Sequence, residues 1–523
     1  MKKIYLETFG CQMNVLDSEL VEGQLRLLGY DFVTDAQQAD VVLYNTCSVR
    51  EKSEQKVLSR LGRLQERKQR EPELVIGVIG CMAERDGMRM LKRWPQVDLL
   101  CGPGELDKLP GLLANVYSTH KQQAALAGDN VRRSGTLAAA GEDHLELLDL
   151  SRSFSPEKNK YQAYIRVVRG CNKFCTYCVV PYTRGPEVSR APQAILDEAR
   201  RLVDAGAREI TLLGQTVNHY VYDHIAASSP SGPLPRHTTF AELLRLVHDQ
   251  VPQLPRLRFI TSFPADFGDD ILETMAACPR ICRYLHIPAQ SGSNRILKLM
   301  NRGYTVESYL DLLARARSFM PNLALAGDFI VGFPTETEAD YHSTRELVIQ
   351  ARYKNAFIFK YSPRPGTLAI RRLKDDVPEA VKRFRNRDLL DLQNEICEQL
   401  NSSLLGTTVD VLCEGPSGWN QSAESVISSA THTNGASPRV QLGPKLSGIL
   451  AARSEPHNAA PIHAEIKNHI QLSGRTTADQ IVVFDGPPNL EGQIVSVQVC
   501  AVHGLTIFGR CRHAECLTAT AGV

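Results

Sequence analysis

Three apolar runs near the start of the chain end in the same way, and that repetition restricts the fold more than any other feature. Ile4 to Phe9 runs into Gly10-Cys11, Val41 to Tyr44 into Asn45-Thr46-Cys47, and Val75 to Ile79 into Gly80-Cys81. Between them, Asp17 to Leu28 and Glu51 to Lys68 carry apolar residues three and four apart, as in Val57, Leu58, Leu61 and Leu64, which is a helical period. Strands alternating with helices predict a parallel sheet whose carboxyl ends open on one edge. Three sulfurs distant in sequence are expected at one rim. Buried thiols are the alternative, because free cysteine is often fully buried.

A second alternating series begins at Tyr161. Its expected strands are Ala163 to Val168, Glu209 to Leu213, Leu257 to Thr261, Tyr284 to Ile287, Leu323 to Val331 and Ala356 to Tyr361, with helices such as Gln193 to Ala205 and Val306 to Phe319 between them. Six such units predict a partial or full (β/α) barrel, with its chemistry at the carboxyl ends of the strands. A charged helix, Pro378 to about Leu404, then leads to Val409–Cys413, Ile481–Phe484 and Ile494–Val499, which read as strands of a small β-barrel of the oligonucleotide-binding kind. The fold class is α/β throughout, closed by a small antiparallel β-barrel. The expected division is 1–120, a linker over 121–156, a barrel over 157–400, and the terminal barrel over 405–512 interrupted by an insertion at 420–468. Residues 222–238 read as a second surface insertion.

At 523 residues about three domains are expected. Net charge is +2, so a nucleic-acid partner must be held by local patches. No apolar run reaches the roughly 20 residues of a bilayer span, and Met1-Lys2-Lys3 leads into no signal-peptide core, so a cytoplasmic address without a membrane is expected. Fourteen cysteines in such a chain point to metal or redox chemistry rather than disulfides.

The densest cysteine motif is Gly170-Cys171-Asn172-Lys173-Phe174-Cys175-Thr176-Tyr177-Cys178, directly after an expected strand. Soft thiolates suit zinc or iron-sulfur clusters, and three in one loop lack the local fourth ligand that structural zinc takes. A cubane held by three thiolates keeps one iron open for an amino acid's amino and carboxylate groups. This triad resembles the radical S-adenosylmethionine (SAM) signature.

The words around the other cysteines extend the resemblance. Phe9-Gly10-Cys11-Gln12-Met13-Asn14, Asn45-Thr46-Cys47-Ser48-Val49-Arg50-Glu51-Lys52 and Gly80-Cys81-Met82-Ala83-Glu84-Arg85 resemble the amino-terminal domain of radical SAM methylthiotransferases, as do Val179-Val180-Pro181-Tyr182-Thr183-Arg184-Gly185, Leu285 to Ser293 and Asp328 to Pro334. The final segment is similar to the family's TRAM module. Gln215-Thr216-Val217-Asn218 departs from the pattern, which usually has Asn after the Gln, and both insertions depart in length.

The resemblance implies two 4Fe-4S clusters, one on Cys171, Cys175 and Cys178 and an auxiliary one on Cys11, Cys47 and Cys81. It implies SAM contacts from Tyr177, Gly214, Gln215, Ser262, His286 and Gln290, and no catalytic residue beyond the cluster ligands. The implied reaction is methylthiolation of C2 of an N6-isopentenyladenosine beside the anticodon, the branch suggested by the words around Cys47 and by Tyr361 to Thr367. Two SAM molecules would be used, one for the radical and one for the methyl group. Threonylcarbamoyl adenosine in tRNA, a ribosomal-protein aspartate, and a noncatalytic cluster-bearing RNA-binding protein are the alternatives. The implied partners are the tRNA anticodon stem-loop and a low-potential electron donor such as flavodoxin or ferredoxin, acting on a monomer.

Other residues have plainer readings. His286 is either a cofactor contact or a hydrogen-bonded core histidine. Cys278 and Cys282 read as reduced thiols at a helix end, Cys511, His513 and Cys516 as a tail, and Cys101, Cys397, Cys413 and Cys500 as packing residues. Arg60, Arg63, Arg67, Lys68 and Arg70 form one basic cluster, Arg371, Arg372 and Lys374 a second, and Lys382, Arg383, Arg385 and Arg387 a third; all three are candidate RNA surfaces.

Overall fold

The computed structural model describes residues 1–48, 51–127, 149, 152, 154–224, 228–229, 232–233, 237–419 and 469–512. The expected insertion at 420–468, His513, Cys516, most of the segment 121–156 and about half of 222–238 lie outside the described residues. The chain divides into two compact units, Met1–Cys397 and Glu398–Val523.

The first unit begins with a six-stranded sheet ordered Asp31–Phe32, Lys3–Phe9, Val41–Thr46, Val75–Gly80, Leu99–Cys101, Gln123–Ala125, all parallel. Alternate residues of its central strands feed two cores. Val41, Leu43, Val75 and Ile79 pack with Leu16 and Leu20 of helix Gln12–Leu27 and Leu113 of helix Leu109–Thr119. Val42, Tyr44, Ile76 and Val78 pack with Val57, Leu61 and Leu64 of helix Glu51–Arg70. A strand buried on both faces reads as an apolar run, which is why Val41–Thr46 and Val75–Gly80 were legible and the short edge strands were not. Gln123–Ala125 extends the sheet into the stretch expected as a linker, and Asp149 from the same stretch is fully buried against Arg166, 2.6 Å away.

The second series forms two parallel three-stranded sheets, Gln162–Arg166, Glu209–Leu213 and Arg256–Ile260, then Tyr284–His286, Ala324–Val331 and Asn355–Lys360. Backbone bonds from Leu257 to Arg280, Cys282 to Leu257 and Ser262 to His286 join them into one arc in chain order. Among the described residues its first and last strands do not pair, so the barrel is partial. Leu213, Tyr164 and Ile260 of the arc pack into the apolar cluster of the first sheet.

The second unit holds a closed five-stranded barrel ordered Thr408–Pro416, Ile470–Arg475, Ile481–Gly486, Thr506–Cys511, Ile494–His503. Four seams are antiparallel, and the Ile481–Gly486 seam with Thr506–Cys511 is parallel, a refinement of the all-antiparallel expectation. Alternate residues Val495, Val497 and Val499 point inward with Val411, Leu472 and Phe484. The 420–468 insertion falls between the first and second barrel strands.

Candidate functional site

The strand register carries the three amino-terminal cysteines to one edge. Phe9 pairs with Thr46 and Thr46 with Gly80, so Cys11, Cys47 and Cys81 all follow aligned strand ends. Cys11 caps helix Gln12–Leu27, Cys81 opens helix Cys81–Asp86, and the Cys47 N–H donates to Phe9 O at 2.9 Å. Two fully buried asparagines brace this rim. Asn14 donates to Asn45 Oδ1 at 2.9 Å, Asn45 returns a bond to Asn14 O at 2.8 Å, and Cys11 Sγ donates to Asn14 Oδ1 at 3.2 Å. At Gly80, with φ +89°, a Cβ would stand 2.4 Å from Asn45 Oδ1, so only glycine makes this turn. A hydrogen bond from Cys47 outweighs burial and lowers the Cys11 thiol to about 6, whereas burial raises Cys81.

The second thiol set leaves the first strand of the arc. Gly170, at φ +75°, lets the chain pass where a Cβ would sit 1.9 Å from Pro186 O. The loop is then pinned: Cys171 N donates to Gly185 O at 3.1 Å, Thr176 N to Met300 O at 3.0 Å, and Asn301 Nδ2 to Phe174 O at 3.2 Å. Arg302 Nη1 lies 3.3 Å from Cys175 Sγ, and the Val180 N–H donates to Cys178 Sγ at 3.5 Å. Burial pushes the Cys171 thiol up to about 12 and raises Cys178 further, so both stay protonated unless a metal replaces the proton. Cys171, Cys175 and Cys178 are near enough for their charges to act on one another, as are Cys11 and Cys81. Among the described residues no three His, Cys, Asp or Glu side chains gather as ligands of a single metal ion. Three soft thiols with N–H donors aimed at their sulfurs are a donor set suited to an iron-sulfur cluster.

Arg184 joins the two sets. It lies six residues past Cys178, is buried, and sets Nη2 2.6 Å from Asp17 Oδ2 on the helix that Cys11 caps, while also hydrogen-bonding the Cys81 thiol. Helix Cys81–Asp86 packs on helix Val180–Thr183. Arg184 stood among the words carrying the resemblance, but nothing in its spacing announced a bond to Asp17. Arg302 stood in none of those words, and nothing in the sequence announced its contact with Cys175.

The expected SAM contacts are distributed along the arc's carboxyl ends. Gly214 follows the second strand, Ser262 the third, and His286 ends the fourth. Among the described residues Ser262 Oγ is buried without a partner, and His286 Nδ1 lies 3.2 Å from Thr261 Oγ1 with Nε2 3.4 Å from Asp328 Oδ1. Gln290, at φ +71°, exchanges backbone bonds with Asp328 and Ile330. Gln215 is half-buried, and Tyr177 packs against Ile296, Met300, Phe333 and Tyr361. At the departing tetrapeptide, Thr216 Oγ1 donates to Glu187 at 2.8 Å, and Asn218 exchanges bonds of 2.9 and 2.7 Å with the Phe263 backbone.

Two of the basic clusters are largely spent within the fold. Arg67 is buried on Ala36 O, Ala39 O and Glu71, Lys68 pairs with Asp98 at 2.9 Å, and Arg60 reaches Glu7 at 3.4 Å. Lys382 is buried on Asp375 at 2.6 Å, and Arg385 on Glu336 and Glu338 at 2.7 and 2.9 Å. Among the described residues, only Arg63, and Arg371, Arg372 and Lys374 in the second cluster, escape such pairing together with Arg70, whose charge acts on Glu71. Cys278 and Cys282 are buried, as are Cys101, Cys397 and Cys413; Cys500 and Cys511 are half-buried. Among the described residues no helix is long and apolar enough to cross a membrane.

Residues 3–102 match the family described as Uncharacterized protein family UPF0004, and residues 165–348 match the Radical SAM superfamily. The tRNA-2-methylthio-N(6)-dimethylallyladenosine synthase of Rhodopirellula baltica is 41% identical over 98% of this chain and 96% of its own length. The protein of that name from Aquifex aeolicus is 38% identical over 95% and 96%. A solved radical SAM methyltransferase, TsrM from Kitasatospora setae with cobalamin and a 4Fe-4S cluster bound, gives a TM-score of 0.48 at 14% identity over 70% of this chain and 77% of that one. The rim of three thiols, the thiol loop on the arc and full-length similarity to these relatives agree, and the chain belongs to the tRNA-2-methylthio-N(6)-dimethylallyladenosine synthase family of radical SAM methylthiotransferases.

Proposed function

We propose that the chain methylthiolates C2 of N6-isopentenyladenosine beside the anticodon of tRNA, using two 4Fe-4S clusters. The carrying observation is Arg184, which binds the helix capped by Cys11 and touches Cys81 from the segment that follows Cys178. One residue thereby holds two donor sets at neighbouring places in one unit, as a reaction requires that makes a radical at one centre and takes sulfur at another. When bound, SAM and the clusters would supply the 5'-deoxyadenosyl radical, the sulfur and the methyl group. The chain's own part is positioning.

Cys171, Cys175 and Cys178 would hold one cluster, with Arg302 and the Val180 N–H directed at their sulfurs. Cys11, Cys47 and Cys81 would hold the other, braced by Asn14 and Asn45. Gly214, Gln215, Ser262, His286 and Gln290, with Tyr177 of the loop, would line the SAM site, where the Ser262 Oγ, buried without a partner among the described residues, leaves hydrogen-bonding capacity to fill. Residues 1–120 would carry the auxiliary cluster, 157–400 the radical chemistry, and 405–512 the RNA-binding barrel. The reading calls for a one-electron donor of low potential, flavodoxin or ferredoxin in kind, acting on a monomer in the cytoplasm.

The test is anaerobic turnover of the reconstituted protein with reductant and SAM, comparing isopentenylated, threonylcarbamoylated and unmodified anticodon stem-loops and a ribosomal protein, read by mass spectrometry. A methylthio product on the isopentenylated RNA alone is expected. Absence of 5'-deoxyadenosine from cluster-loaded protein would reject the enzyme in favour of a binding protein.

A further inference from the structure

A cleft of about 400 Å³ takes its walls from three separate stretches of the first unit. Arg85 and Arg89 follow Cys81, Tyr182 follows Cys178, and Gly366, Ile370 and Arg371 follow the last strand of the arc. The cleft therefore borders both proposed cluster loops. Helix Leu368–Arg372, which carries Ile370 and Arg371, is tied to the thiol loop by Ala369 N donating to Thr176 O at 2.8 Å.

Its charge is uneven. Arg85 is fixed by Glu54 at 2.6 Å and Asp86 at 2.8 Å, and Glu54 also takes Arg364 at 2.9 Å. Arg89 and Arg371 are exposed and, among the described residues, have no ion pair; Arg89 makes one long bond to the Arg85 carbonyl at 3.5 Å. Two guanidinium groups facing one cleft without a carboxylate are an anion site, and their planar forks suit phosphate. Apolar and aromatic surface adjoins them. Ile370 is 45% exposed, and Phe174, itself 43% exposed, stands edge-on to Tyr182 with ring centroids 6.2 Å apart. Cations interleaved with open aromatic rings are how single-stranded nucleic acid is held. The volume, within the roughly 300 to 1,000 Å³ of small-ligand sites, leaves room for more than a phosphate.

We propose that this cleft seats a backbone phosphate of the RNA strand flanking the modified nucleotide, with Arg89 and Arg371 as its cationic contacts and Tyr182 against the adjoining base. The proposal rests on the reading of the chain as a tRNA methylthiotransferase. It joins Arg371, already a candidate RNA contact by sequence, to Arg89, a pairing the sequence could not show because the two are almost three hundred residues apart in the chain.

The experiment uses cluster-loaded full-length protein, wild type and Arg89→Gln/Arg371→Gln, titrated with isopentenylated anticodon stem-loop by fluorescence anisotropy at several salt concentrations. Iron content and circular dichroism check loading and folding. The double variant should bind about tenfold or more weakly, with a log-log salt slope shallower by roughly 0.7 to 0.9, the value of one phosphate contact. A scan of neutral methylphosphonates through the loop gives an independent readout: one linkage should weaken wild-type binding and leave the double variant indifferent. Equal affinity and slope in the two proteins, or a scan without such a linkage, would overturn the assignment. Wild-type protein that forms no methylthio product on this RNA would instead overturn the function, and the two failures are read separately.

Discussion

Removing the guanidinium of Arg184 should destabilise the first sheet far more than loss of one hydrogen bond. The Arg184 and Asp17 side chains are 4% and 1% exposed, and among the described residues Asp17 Oδ1 has no hydrogen-bond partner. Arg184→Met therefore leaves a carboxylate buried and uncompensated, at a cost of about 3 to 5 kcal/mol. Even the lower figure is roughly a 150-fold loss in the folded-to-unfolded ratio. Asp17→Asn should cost a similar amount by stranding the guanidinium, but the double variant should be little worse than either single one, for a coupling of about 2 kcal/mol or more. The assay is urea unfolding of cluster-free protein followed by Trp94 fluorescence in a Trp419→Phe background, since these are the only two tryptophans and Trp94 lies in the first sheet's domain. Single-variant losses under about 1 kcal/mol, or losses that add within about 0.5 kcal/mol, would refute the view that this pair joins the thiol sets.

Alanine at Cys171, Cys175 and Cys178 together should abolish 5'-deoxyadenosine formation and leave about half the iron, as two cubanes require; undiminished cleavage would remove the loop from its role. Gly170→Ala puts a methyl group 1.9 Å from the Pro186 carbonyl at a positive φ, and iron analysis should show loss of that same cluster from an otherwise folded chain. His219 is raised above 6.5 by its bond to Glu187; burial pushes Glu187 up, but bonds from His219, Thr216 and the Asn172 N–H outweigh it and hold Glu187 below 4.5. The His219 contribution is thus complete below about pH 6.5 and lost as pH rises through its raised value, and that of Glu187 is complete above about pH 4.5 and lost as pH falls. Thermal melts at pH 6 and pH 8 should differ less for His219→Gln than for wild type, by under about 1 kcal/mol for this half-exposed group. Ending the chain at Ser402 should weaken binding of the stem-loop and flatten its salt dependence while 5'-deoxyadenosine still forms; unchanged binding would move the RNA surface wholly to the first unit.

The amino-acid order alone determined the doubly covered sheet, the sequential arc and the meeting of Cys11, Cys47 and Cys81, because strands buried on both faces leave unbroken apolar runs and parallel strands must end on one edge. Helix Val306–Phe319 and strand Glu209–Leu213 were read to the residue, where periodicity and a Thr305 cap agree. Strands Asp31–Phe32, Leu99–Cys101 and Gln123–Ala125 escaped because two or three residues are too few to show a period. Tertiary structure decided what the charges do. Arg67, Lys382 and Arg385 looked like RNA contacts along their helices, yet each finds carbonyls or carboxylates from other segments, while Arg89 and Arg371 have no ion pair among the described residues and face one cleft. A charged residue's role depends on which opposite charge comes within a few ångströms, and that distance is set by packing between segments far apart in the chain.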